Sequence, residues 1–211
     1  MRIASLTILC LALVAVPAFA AQVYENGPIN GSTDAYNISF GFIVSDSFVA
    51  DNSTVTGFML GTWEFPGDVL KSVDWSITSQ ENGGTLYGSG TASGNNLTDQ
   101  YISTNQYGYD IDKITVTGLN VAVTSGSEYW LNLQNATVPG GDPVLWDENS
   151  GAGCTSPGCP SQASETFVGT IASEAFTIKT GGTGTTPEPN SILLFGSGIL
   201  GAAGLLRRKL I

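Results

Sequence analysis

The sequence contains no histidine, and that absence removes more chemistry than any residue present supplies. Without an imidazole there is no Ser-His-Asp relay, no Cys-His nucleophile pair and no histidine-based zinc site. Cations are almost as scarce. Between Ala21 and Thr186 only Lys71, Lys113 and Lys179 are positive, whereas 18 acidic residues occur in the chain and all but Glu188 fall in that stretch. Such a surface repels nucleic acid and anionic lipid headgroups. Nucleic acid is therefore excluded as a partner, while a soluble extracellular domain or a divalent-cation site fits. The Gly-x-Ser-x-Gly frame of a nucleophile elbow is missing, so Gly88-Ser89-Gly90 reads as a turn. No phosphate-cradling glycine loop precedes a helix, which excludes nucleotide chemistry.

Cysteine is also rare. Of three, Cys10 lies in the apolar run near the start, and Cys154 and Cys159 bracket Thr155-Ser156-Pro157-Gly158. Pro-Gly favours a tight reversal that brings the two sulfurs together. In an exported, oxidising setting this predicts a local disulfide. The alternative is a metal pair, although two thiolates without further ligands make a poor zinc site.

Both ends depart from the composition of the middle. Met1-Arg2 supplies a positive charge, Ile8 to Val16 an apolar run, and Pro17 a helix break. Ala18-Phe19-Ala20 then offers the small-x-small pattern of a signal peptidase site, so residues 1–20 read as a signal peptide cleaved after Ala20. The apolar run is too short to span about 30 Å of hydrocarbon. Past Lys179, residues 181–190 form a Gly/Thr-rich flexible linker ending in Pro187-Glu188-Pro189. Residues 191–206 follow as an apolar run, ~24 Å long as a helix, and read as a single transmembrane helix. Arg207-Arg208-Lys209 within the tail 207–211 then stays cytoplasmic by the positive-inside tendency.

The order Pro187-Glu188-Pro189, Gly-rich apolar helix, Arg207-Arg208-Lys209 resembles the PEP-CTERM sorting signal. Thr186 stands where that family usually has Val. The resemblance implies recognition and processing by a membrane-embedded exosortase, with Pro187, Glu188 and Pro189 as recognition elements. It further implies a Gram-negative envelope, anchoring in the inner membrane before processing, and a final place at the cell surface or in an exopolysaccharide or biofilm matrix. The segments Trp63 to Asp68, Tyr129 to Leu133 and Asp142 to Asn149 resemble uncharacterised secreted ectodomains that carry such tails.

Between these ends, residues 21–180 alternate apolar and polar residues with frequent Gly, Asn and Ser breaks. Ile38-Phe40-Phe42-Val44, Val73-Trp75-Ile77, Ile114-Val116, Tyr129-Leu131-Leu133 and Phe176-Ile178 mark buried faces. Val121 and Val123 continue the pattern after a bend at Gly118, and Phe167-Gly169-Ile171 repeats it. Nine or ten short strands with regular turn clusters predict an all-β ectodomain, an antiparallel β-sandwich or jelly roll. The stretch from Pro139 to Ser164 reads as a long surface loop.

Three chemistries remain open for this domain. Trp130, across the strand from Tyr129 and Leu131, and Trp146, in an acidic segment, are the candidate rings for stacking sugars, with Tyr107 and Tyr109 behind them. Asp142, Asp147, Glu148 and Asn149 gather hard oxygen donors suited to calcium. Asp110 and Asp112 are the one carboxylate pair at alternating positions that a glycoside hydrolase could use. The reading that fits best is a non-enzymatic, exported, exosortase-processed surface or matrix protein without a catalytic residue or resident cofactor. A carbohydrate-binding module, assisted by calcium, is the alternative, and a glycoside hydrolase the remote one.

Overall fold

The computed structural model of the chain describes residues 22–181. The expected signal peptide with its Ala18/Ala20 site, the Pro-Glu-Pro linker, the membrane helix and the basic tail lie outside the described residues.

Strands fill this segment: β1 Gln22–Glu25, β2 Asp34–Asn37, β3 Ile43–Val49, β4 Thr54–Glu64, β5 Ser72–Gln80, β6 Gly83–Ser93, β7 Leu97–Thr104, β8 Asp110–Ala122, β9 Glu128–Thr137, β10 Leu145–Glu148, β11 Ala163–Glu165, β12 Gly169–Ile171 and β13 Phe176–Gly181. The helical content among the described residues is one 3-10 turn, Gly94–Asn96.

All pairings are antiparallel, and they form two sheets. The first is built around β4. One edge of β4 pairs with β8, which in turn pairs with β7. The other edge is shared end to end, with β13 running along Thr54 to Leu60 and β10 along Thr62 and Trp63. β1 extends β13 and β2 extends β10. The second sheet runs β12-β11-β3-β9-β5-β6.

Alternation decides which side of each sheet is buried. Phe58 and Leu60 of β4, Ile114 and Val116 of β8, and Phe176 and Ile178 of β13 meet Val44 and Phe48 of β3, Val73 and Ile77 of β5, and Leu131 and Leu133 of β9 in one hydrophobic core. The domain is therefore an antiparallel β-sandwich. The segment 26–33 folds across the outer side of β4, where Ile29 lies over Gly61 and Gly31 lies over Ile111.

Several local expectations change. The alternation read through Ile38 to Val44 breaks, because Phe40 takes a left-handed conformation (φ 56°) and points to solvent while Phe42 N–H closes a turn onto Ser39 O. Gly88-Ser89-Gly90 is not a turn but part of edge strand β6. A Cβ at Gly88 would meet the Val121 side chain at 2.6 Å, so glycine lets β6 approach β8 across the sandwich edge. The bend at Gly118 is real: with φ 80° it sits in a bulge where Gly118, Leu119 and Asn120 of β8 oppose Thr56 alone on β4. The stretch 139–164 is not simply a surface loop either. It gives β10 to the first sheet and begins β11 of the second, and Val144 and Trp146 belong to the core.

Leu133→Ala should destabilise the chain by about 2–5 kcal/mol, because it opens a cavity between the sheets, whereas Leu86→Ala, on exposed β6, should change stability by less than about 0.5 kcal/mol. Urea unfolding of both variants checks the assignment of the two faces.

Candidate functional site

The inward row of β4 runs Phe58, Leu60, Thr62, Glu64, and its last member is an acid where the pattern calls for an apolar residue. On β8 the same row reads Val116, Ile114, Asp112, with Asp112 opposite Thr62. On β7, Asp99 pairs with Ile114. Strand register thus brings Glu64, Asp99 and Asp112 together at one end of the core, and their carboxylate oxygens lie within 4.8 Å of one another. Glu64 is 0% and Asp112 4% exposed.

Few donors serve these oxygens. Glu64 Oε1 accepts the Thr62 hydroxyl at 2.9 Å, and Asp99 Oδ2 accepts the Leu70 N–H at 2.6 Å. Glu64 Oε2, Asp112 Oδ2 and the neighbouring Asp68 Oδ2 are buried without a hydrogen-bond partner. Burial, reinforced by the charge of Asp99, pushes Glu64 up to about 8, and the same two causes push Asp112 up to about 7. Burial also raises Asp99, against the Leu70 N–H, a hydrogen bond with the Asp112 carboxyl and a minor pull from exposed Lys71.

A second acidic pair lies deeper. Asp46 of β3 and Glu174, just before β13, are fully buried. Asp46 Oδ2 accepts the Glu174 N–H at 2.7 Å and the Asn26 side-chain amide at 3.4 Å. Asp46 Oδ1 and both Glu174 carboxylate oxygens have no hydrogen-bond partner. Burial raises both carboxyls well above their ordinary values, and Asp46, Glu148, Asp147 and Asp34 add repulsion at Glu174.

The residues expected to bind calcium are not brought together. Asp147 accepts the backbone N–H groups of Asn30 and Gly31, at 2.8 and 2.9 Å, and the Trp63 indole N–H at 2.6 Å. Its oxygens are committed to holding the segment 26–33 on β4. Glu148 takes the Ser150 hydroxyl, and Asn149 bonds Asn26 O and Gly151 N–H. Asp142 stays outside β10, beside Gly140 and Asp68. Asp110 also serves as a strut, accepting the Gly67 N–H and the Thr104 hydroxyl.

Neither expected sugar-stacking tryptophan offers a face. Trp146 is fully buried, its indole N–H donates to Ala175 O at 3.1 Å, and Phe176 meets it edge-on. Trp130 is 8% exposed, on the outer side of β9 between Ser47 and Thr78. The reason is topological: β10 is a sheet strand, so alternation turns Trp146 inward. The open rings lie elsewhere: Phe167 is 75%, Phe40 66%, Tyr107 59% and Tyr101 58% exposed. Tyr107 stacks on Trp63 at 5.7 Å and 25°, and Phe65 meets Tyr109 edge-on. Cys154 and Cys159 form a disulfide across a reversal closed by Cys159 N–H onto Ser156 O. The Ser156 hydroxyl oxygen accepts Glu25 N–H, tying that loop to β1.

Outside the sandwich, residues 185–209 match the family model of the PEP-CTERM protein-sorting motif. The chain carries a PEP-CTERM sorting signal. Its matched range spans Pro187, Glu188, Pro189, Arg207, Arg208 and Lys209. The protein is thus exported and sorted through exosortase at the membrane. Among curated proteins, none matches the chain.

The Asp46–Glu174 pair dictates an unusual pH dependence. The folded chain keeps these carboxyls protonated where the unfolded chain, at about pH 4, has already released its protons. Their contribution is complete below about pH 4 and is lost as the pH rises through the raised folded values. In the presence of a chelator, Tm should fall by roughly 5 °C or more between pH 5 and pH 8.5, and Glu174→Gln should flatten the slope. A Tm that rises with pH over that range would show both carboxyls ionised and satisfied in the folded chain.

Proposed function

We propose that this protein is a non-catalytic component of the bacterial surface or extracellular matrix, delivered there by exosortase processing and retained in contact with exopolysaccharide. The match of residues 185–209 to the sorting motif carries the reading. An acidic sandwich is soluble and repels anionic lipid headgroups, which suits a domain released from the membrane surface. The absence of histidine and the burial of Glu64 and Asp112 support a role without catalysis, since a sugar ring cannot reach carboxylates that solvent does not reach.

Cell fractionation tests the sorting role. Wild-type chain should appear in the envelope and matrix fractions in a shortened form, whereas a Pro187→Ala/Glu188→Ala/Pro189→Ala variant should accumulate at full length in the inner membrane. Unchanged processing and distribution of that variant would remove the motif as the determinant. Incubation with matrix polysaccharide should release no new reducing ends.

A second reading, that the sandwich itself binds polysaccharide, is favoured by the exposed Tyr107, stacked on Trp63, and by Phe65, which meets Tyr109 beside the same ring. These rings take the place expected of Trp130 and Trp146. Tyr107→Ala should then lower retention on exopolysaccharide by roughly three- to tenfold, the worth of one stacking ring. Equal retention of wild type and variant in an affinity gel would discard this platform.

A further inference from the structure

Glu64 Oε2 and Asp112 Oδ2 are the observation that needs a ligand. Both belong to side chains more than nine-tenths buried in the same carboxylate cluster; Glu64 Oε2 has no donor, and Asp112 has no donor outside the cluster, its one carboxyl partner being Asp99. Unserved buried oxygens also occur at Asp46, Glu165 and Glu174, but among the described residues it is Glu64, Asp99 and Asp112 that bring three carboxylates within 4.8 Å of one another. Here the opposing strands present only further carboxylates. Backbone donors at this end are engaged: the Leu70 N–H goes to Asp99, and the Gly140 N–H goes to Asp68 Oδ1.

We infer that Glu64, Asp99 and Asp112 bind one calcium ion at this end of the sandwich. Oxygens on one calcium ion lie about 2.3–2.6 Å from it and so no more than about 5 Å from each other. The 4.8 Å limit on the three carboxylates meets that condition. The donor set is wholly hard oxygen, which suits calcium and not zinc. Magnesium demands a near-ideal octahedron and keeps several waters, a poor match to the buried Glu64 and Asp112. Asp68 adds a fourth negative charge next to Glu64, and Lys71 is exposed, so no buried side-chain cation competes for the position. Each ligand comes from a different strand of the first sheet, so a bound ion ties β4, β8 and β7 together at their ends.

The site lies apart from the loop Asp142 to Asn149, and the inference does not depend on the sorting role. Calorimetric titration of the chelator-treated full chain with calcium chloride, paired with thermal melts, tests it. One ion should bind with Kd of about 10⁻⁴–10⁻³ M, the range of extracellular modules, and raise Tm. Glu64→Gln and Asp112→Asn should abolish both responses. Without calcium these variants should melt at or above the wild-type temperature, because each removes a buried carboxyl whose ionisation burial and the charge of Asp99 oppose. Asp142→Asn should bind calcium as wild type does. Should Glu64→Gln fail to fold, Asp99→Asn, at the half-buried member, carries the same expectation. No heat and no Tm shift in the wild type would overturn the inference. So would a calcium response that survives Asp112→Asn or disappears in Asp142→Asn.

Discussion

An interior that holds many carboxylates and almost no cations must satisfy them with neutral donors. The described residues contain no arginine, and their lysines are exposed or half-buried. Ion pairing is thus not available as the general answer to burying acid. Backbone N–H groups supply it instead, and they do so by bending connecting segments onto the acids. Asp147 gathers Asn30 and Gly31, which lays the segment 26–33 over β4. Glu165 gathers the N–H groups of Phe167 and Val168 and forms the turn between β11 and β12. Asp46 takes Glu174 N–H and fixes the approach to β13. Such hydrogen bonds contribute roughly 0.5–3 kcal/mol each, most where the acceptor is charged, enough to order loops that have little apolar surface of their own.

The same constraint explains the special position of β4. Its two edges and outer face serve four neighbours: β8 on one edge, β13 and β10 on the other, and the segment 26–33 across the face. Where the strand leaves the core its inward row changes from Leu60 to Thr62 and Glu64. The matching row on β8 changes from Ile114 to Asp112. Register makes the two changes coincide, since a slip of one residue would turn Glu64 and Asp112 to the opposite face. Glu64 and Asp112 therefore share a site because Phe58 and Val116 share a core, and the acidic end cannot be moved without unpacking the apolar one.

Much of the architecture was legible because alternation is a direct physical record of one wet and one dry face. Val73/Ile77, Ile114/Val116, Leu131/Leu133 and Phe176/Ile178 are all core pairs, and Gly118 marks its bulge. The record fails where both faces are covered. Trp146, Asp147 and Glu148 are all buried, so β10 shows no wet face and its acids disguise it as a loop. Phe40 fails in the opposite way, as an apolar residue on a turn. The acidic cluster was half visible: Asp112 stood out beside Asp110, but alternation placed both on one side without telling whether that side was the rim or the core. Its partners Glu64 and Asp99 come from strands 48 and 13 positions away by sequence number, and only sheet order puts β4 and β7 on either side of β8.

Export gives the inferred calcium site a physical logic. A chain that crosses a membrane before folding meets the outer medium with its carboxylates solvated and fully ionised. Closing the sandwich then requires Glu64, Asp99 and Asp112 to approach within a few ångströms, a step opposed by desolvation and mutual repulsion alike. A divalent cation removes both obstacles in the same step, and its binding free energy becomes part of the folding free energy. The affinity need not be high. An ion present at ten times its Kd adds about 1.4 kcal/mol, a sizeable fraction of the stability of a small domain. Tighter binding would demand a rigid, fully formed cage, whereas three strand ends that come together only on folding form their cage late. A weak site assembled by sheet closure thus favours the folded state in calcium-containing surroundings outside the cell and disfavours it where calcium is scarce.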